Sequence, residues 1–171
     1  MRYLVLPLLL LLSGCIGLPD GVTAISGFEL DRYLGNWYEI ARLDHSFERG
    51  LTDIKAEYTM RPDGGVRVRN SGFNAAKGQR EMAEGVAYFI DRPDVGRLQV
   101  SFFGPFYGAY NIIALDKVGY QYALVAGPDR DYLWILARTP KLEPKILQHL
   151  IDKAQALGFA TDRLIYDQHP Q

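Results

Sequence analysis

The sequence predicts an all-β domain, closed or sandwiched, followed by one helix and a short terminal strand. Three observations carry this. From residue 34 to about 139, short runs with a period-two apolar pattern alternate with Gly, Pro and Asp turns. After Pro140 the apolar period becomes helical, through Ile146, Leu147, Leu150, Ile151, Ala154 and Leu157. Past Gly158, which sits where a helix C-cap belongs, Leu164-Ile165-Tyr166 returns to an extended pattern.

Each element has a local reason. The first strand is built around Trp37, after the small-residue turn at Gly35. In Ile54-Lys55-Ala56-Glu57-Tyr58-Thr59-Met60 the even positions are apolar and the odd ones polar, so one face is buried and the other wet. Pro62-Asp63-Gly64-Gly65 is a hairpin signal, because Pro presets one turn angle and Gly accepts positive φ. The next strand shows Val66, Val68 and Asn70 on one face. Further strands are expected at about 80–91, 97–103, 108–116, 119–126 and 132–139, which makes eight. The helix has one apolar face and must pack on something, most simply the outside of the β-structure.

The N-terminus predicts export. Met1-Arg2 and the leucine run to Leu12 have the positive start and short apolar core of a secretory signal. The run is too short to cross a bilayer, which takes about 20 apolar residues. Leu12-Ser13-Gly14-Cys15 resembles a bacterial lipobox, with cleavage before the cysteine and acylation of its thiol. Cys15 is the one cysteine of the chain, so no internal disulfide forms and its use as a lipid attachment site is the economical reading. The expected organisation is a signal at 1–14, a lipidated N-terminus and tether at 15–26, and one domain at 27–171. The formal net charge of −1 gives no broad attraction for nucleic acid.

The run Gly35-Asn36-Trp37 resembles the first signature of the lipocalin family, and Arg138 matches the arginine that lies across that tryptophan. The resemblance implies an eight-stranded antiparallel up-and-down lipocalin barrel, with the helix packed outside and a short terminal strand. Gly35, Trp37 and Arg138 then form its structural floor. The blocks 35–50, 100–108 and 127–136 are most similar to bacterial outer-membrane lipocalins, relatives of apolipoprotein D. Absence of an aspartate after Cys15, where Ile16 stands, implies by the same resemblance an outer-membrane anchor facing the periplasm.

Strand parity then predicts a lining. The candidates are Ile54, Ala56, Tyr58, Met60, Val66, Val68, Leu98, Val100, Phe102, Tyr110, Ile112, Tyr132 and Trp134. Such a surface suits an acyl chain, so a fatty acid or lysophospholipid is the expected partner. Tyr58, Tyr110, Arg42 and Arg80 are candidate polar handles for its headgroup. A homodimer is possible through the aromatics near 103–107. The alternative is an envelope structural or assembly protein whose barrel is filled by its own side chains. Catalysis is not expected. Asp44-His45-Ser46 puts three catalytic residue types side by side, but a triad needs convergent side chains rather than adjacent positions. No metal-ligand spacing or phosphate-binding motif appears, and no cofactor is expected.

Overall fold

The computed structural model describes residues 16–170. Eight strands form one ring: β1 (Gly35–Arg42), β2 (Leu51–Met60), β3 (Val66–Asn74), β4 (Gln79–Phe89), β5 (Arg97–Phe103), β6 (Phe106–Leu115), β7 (Tyr122–Ala126) and β8 (Leu133–Ala137). Each is antiparallel to the next, and β8 returns to β1, which also pairs with β2. Closure removes the free edges that an open sheet would expose. The connections β1–β2, β3–β4, β5–β6 and β7–β8 gather at one end, the open end, and the others at the closed end.

Alternation divides the core in two. Trp37, Tyr58, Val66, Val68, Ala87, Leu98, Ile112, Val125 and Leu136 meet inside the ring. Ile40, Ala41, Leu124, Leu133, Ile135 and Ala137 face outward and are covered by α2 (Pro144–Ala156), which buries Leu150 and Ala154 against them. This is why both faces of β8 are apolar. Pro144 stands at the first helical position, where its missing N–H costs nothing. Gly158, at φ +85°, takes the left-handed conformation that ends the helix.

Three details depart from the strand pattern. A single-turn helix, α1 (Leu30–Tyr33), lies across the closed end and has no periodic signal of its own. β7 begins at Tyr122 rather than near 119, because the Asp116 carboxylate accepts the N–H groups of Val118, Gly119 and Gln121 and holds a turn there. Residues 16–26 lie along the barrel wall rather than standing off as a tether. The Gly17 carbonyl accepts from Asn111, the Asp20 carbonyl from Arg130, and Val22 is buried. Cys15 and the signal segment 1–14 fall outside the described residues.

The terminal strand β9 (Ile165–Tyr166) pairs with Ala41 and Arg42, beyond the last β1–β2 pair at Tyr38 and Lys55. A cluster under it fastens the C-terminus. Asp167 accepts the N–H groups of Asp53 and Ile54, and the buried His169 ring contacts Asp53 (2.8 Å) and the Glu39 carbonyl (2.7 Å).

Candidate functional site

The floor is sealed by Trp37, which is fully buried. Its indole Nε1 donates to the Tyr33 carbonyl at 2.8 Å, so β1 is tied to α1. The Arg138 guanidinium lies 4.0 Å from the ring centroid and donates to the carbonyls of Asn36, Arg32 and Tyr120. A cation over an indole contributes about 0.5 to 2 kcal/mol, and the three carbonyls fix its orientation. Gly35 is required by its backbone, whose φ is +91°.

Above Trp37 three phenols converge. The Tyr110 hydroxyl lies 2.8 Å from that of Tyr33 and 2.9 Å from that of Tyr58. Burial is the main reason that all three hold their protons far into the alkaline range. Tyr58 and Tyr110, expected as handles for a headgroup, therefore spend their hydroxyls on each other and on Tyr33. They form the upper surface of the plug.

The half of the barrel above this plug is different. Ladder register places Ala56, Asn70 and Ala83 side by side on the inner face, and Val100 opposite Gly108 on the next strands. Ala83 and Gly108 face inward yet are exposed, and Ala56, Asn70, Val100, Phe102, Tyr110 and Trp134 are only half-buried. A Cβ built on Gly108 would meet no atom within 4 Å. Solvent therefore reaches the inner wall. The β4–β5 ladder stops at Val86 and Ser101, so the upper part of β4 stands free of β5 and the mouth widens on that side.

Charged groups are buried on one side of the barrel. A register shift between Glu39 and Ala41 turns Glu39 and Arg42 to the same face, where Arg42 Nη1 donates to Glu39 at 2.7 Å. Arg42 Nη2 donates to the Glu48 carbonyl, and Nε has no partner. Burial, reinforced by the nearby Glu48 carboxylate, pushes Glu39 well above the usual carboxylate range although Arg42 opposes it. Burial also acts to raise Glu48, but His45, with Nε2 3.0 Å away, and the Trp134 indole N–H hold it below its ordinary value. The aromatic rings of Tyr132, Trp134, His45 and Phe47 pack together over this group, from the inner wall to the rim.

The predicted residues are distributed accordingly. Val66, Val68, Leu98 and Ile112 are buried in the lower interior, and Tyr58 and Tyr110 cap it. Ala56, Val100, Phe102, Tyr132 and Trp134 are partly buried and belong to the upper interior or its rim. Ile54 is buried beside Gly72 and Leu51. Met60 does not line the interior. It ends β2 at the closed-end hairpin and is 48% exposed. Arg42 is a buried ion-pair member rather than a rim charge. Arg80 is turned outward and pairs with Asp53 beside the C-terminal cluster. Sequence reasoning missed Glu39, His45 and Glu48. Glu39 is inward by parity with Trp37, which was the available signal, whereas His45 and Glu48 lie in a loop with no periodicity.

No convergence of Asp44, His45 and Ser46 exists. Asp44 is tied to Arg49 at the surface, at 2.8 Å, while His45 is buried against Glu48. Among the described residues no cluster of three metal-ligating side chains occurs. Two surface depressions, of about 550 and 270 Å³, lie outside the ring, beside Phe28 and Phe89 and beside Asp53 and Arg80. Both are broad and shallow, and neither contains the upper inner wall.

The comparisons agree with this geometry. A family model described as a lipocalin-like domain matches residues 28–169. The chain is 54% identical over 158 residues to outer membrane lipoprotein Blc of Vibrio cholerae, covering 92% of each chain. It is 34% identical over 131 residues to apolipoprotein D of Rattus norvegicus, covering 72% of this chain and 67% of that one. Among solved structures, insecticyanin from the tobacco hornworm Manduca sexta superposes with a TM-score of 0.72 at 23% identity, over 91% of this chain and 88% of the other, a likeness of fold. The chain belongs to the lipocalin family.

Proposed function

We propose that this protein binds a single-chain amphiphile, a fatty acid or a lysophospholipid, with the acyl tail in the upper half of the barrel. The observation that carries the reading is the accessibility of Ala83 and Gly108, two inward positions above a sealed floor. A barrel filled by its own side chains would cover them. Ala56, Val100, Phe102 and Trp134 supply an apolar wall around this space. Each methylene moved from water onto such a wall contributes about 0.8 kcal/mol, so a dozen give roughly 10 kcal/mol before the cost of association. The width of an eight-stranded barrel favours one chain over two.

The protein acts as a carrier, storing or moving the lipid at the outer membrane, where acylated Cys15 anchors it. The anchor rests on the lipobox pattern at Leu12-Ser13-Gly14-Cys15, and the location on the name of the relative from Vibrio cholerae. Two acyl chains or more hold a protein stably on a bilayer. Native mass spectrometry after mixing with fatty acids, lysophospholipids and diacyl phospholipids tests the ligand class. A saturable one-to-one complex with the single-chain lipids is expected; absence of any lipid complex would favour the filled barrel.

A further inference from the structure

The two ends of the barrel differ in the aromatic surface they present to solvent. At the open end Phe47, Phe103 and Phe106 are 74%, 77% and 72% exposed. Phe103 and Phe106 face each other as the last pair of the β5–β6 hairpin. Phe47 stacks on Tyr132, which stacks on Trp134, so an aromatic path runs from the outer rim to the inner wall. Met82, also exposed, lies on the stretch of β4 that stands free of β5. Both ends carry surface ion pairs, Arg49 with Asp44 and Lys77 with Glu81 at the open end, Arg61 with Asp63, Arg92 with Asp94 and Arg32 with Glu29 at the closed end, but exposed phenyl rings occur at the open end. Solvent-facing phenyl rings grouped at one end mark an interaction surface.

The start of the described chain says what covers it. The Ile16 carbonyl accepts from Arg97 and the Gly17 carbonyl from Asn111. The same Asn111 amide donates to the Gly127 carbonyl, which opens the β7–β8 turn at the open end. Gly17 is thus fixed to the outer wall between mid-β6 and the β7–β8 turn, and Ile16 turns from it toward Arg97 at the start of β5. One residue of extended chain spans at most about 3.6 Å, so a lipid attached at position 15 starts within a few ångströms of Ile16. A bilayer reached from this wall can meet either end of the barrel, and the end with an apolar surface to offer it is the one that carries the three phenyl rings.

We infer that the open end is a membrane-docking surface, with Phe47, Phe103 and Phe106 entering the interfacial layer of a phospholipid bilayer and holding the mouth against the leaflet. The inference rests on the anchor and the ligand site proposed above. It adds the orientation: a single-chain lipid passes between bilayer and barrel without crossing water, along the Phe47–Tyr132–Trp134 side or through the β4–β5 gap.

The full acylated chain is reconstituted in vesicles of phosphatidylethanolamine and phosphatidylglycerol. Because the Cys15 sulfur is then alkylated, Phe106→Cys or Val118→Cys introduces the single free thiol for an environment-sensitive fluorophore. Val118, 89% exposed at the closed end, is the reference. Nitroxide-bearing lipid is expected to quench the label at 106 severalfold more than the label at 118. Equal quenching, or neither label quenched while the protein floats with the vesicles, would overturn the orientation, as would self-quenching between labels at 106 without lipid quenching, which would make the face an interface between two copies. Failure to float would remove the anchor and the docking together. A second variant, Phe103→Ser with Phe106→Ser, is expected to keep the one-to-one lipid complex in native mass spectrometry while lowering the rate of lysophospholipid transfer from vesicles severalfold. An unchanged transfer rate would overturn the docking, whereas loss of the complex itself in the unaltered protein would instead overturn the ligand reading.

Discussion

The floor and the mouth of this barrel are made from the same alternation and reach opposite results. At the floor large rings and buried aliphatic side chains fill the interior, and the polar atoms of the rings have partners: the indole N–H of Trp37 with Tyr33, and the hydroxyls of Tyr33, Tyr58 and Tyr110 with one another. At the mouth Ala56, Ala83 and Gly108 stand among the larger Val100, Phe102 and Trp134 and leave the interior unfilled, and polar atoms such as Arg42 Nε and Asn70 Oδ1 are left without partners. A satisfied, space-filling end supports the fold, and an open end with small inward residues leaves room for a ligand. The difference lies in what covers positions of equal parity: Gly85 and Ala87 are buried under the floor's rings, whereas Ala83 and Gly108 are exposed.

Breaking the floor should cost the most. Trp37→Ala removes a wholly buried ring and its hydrogen bond, and an increase in unfolding tendency of about 3 to 5 kcal/mol is expected from denaturant titration. A loss under 1 kcal/mol would mean that the floor is not the keystone of the fold. Arg42→Met should follow, at about 3 kcal/mol, because it strands the Glu39 carboxyl in a buried site. If it proves neutral, Glu39 is protonated and needs no partner.

Filling the mouth should separate the two ends more sharply. Gly108→Phe points a ring into open inner space at an ordinary backbone angle. Lipid affinity is expected to fall at least tenfold, about 1.4 kcal/mol, with a smaller change in stability. Equal affinity for the altered and unaltered protein would place the tail elsewhere. Trp134→Ala should weaken acyl-chain binding more than folding, and comparable losses in both would move that ring out of the site and into the structural core.

The smallest effect is expected outside the ring, at the C-terminal fastening. Burial acts to raise the Asp53 pKa, but His169, Arg80 and Lys55 outweigh it and hold the carboxyl below its ordinary value. A depressed carboxyl stabilises the fold above the unfolded value, about 3.9, and that contribution is lost as pH falls through the lower folded value. Protection factors at residues 165–169, taken relative to the intrinsic exchange rate at each pH, should therefore fall in acid. Asp53→Asn should lower them at neutral pH and flatten the acid dependence; protection independent of pH would show that Asp53 does not hold the segment.

Much of this was legible in the chain. Period-two patterning located eight strands, and the apolar even and odd positions of β8 made sense once a helix was expected outside. The Gly35, Trp37 and Arg138 floor followed from the resemblance rather than from any periodicity. What escaped notice depended on breaks in alternation or on segments without it. The shift between Glu39 and Ala41 brings Arg42 inside, the irregularity between Thr52 and Lys55 places Asp53 at φ +50°, and α1 is a single turn too short for a helical signal. Met60 obeyed the parity of its strand but lies past the end of the interior. Parity names a face, while depth along the strand decides whether that face looks onto floor, cavity or solvent.

The chain has two tryptophans, one in the sealed floor and one at the mouth, and they make the contrast measurable. Fluorescence of Trp37→Phe and Trp134→Phe, each leaving one indole, would be followed while a mid-chain brominated fatty acid is titrated in. Strong, saturable quenching of Trp134 with Trp37 nearly unaffected is the expected result. Equal quenching of both, or none of either, would contradict a tail held above the tyrosine plug.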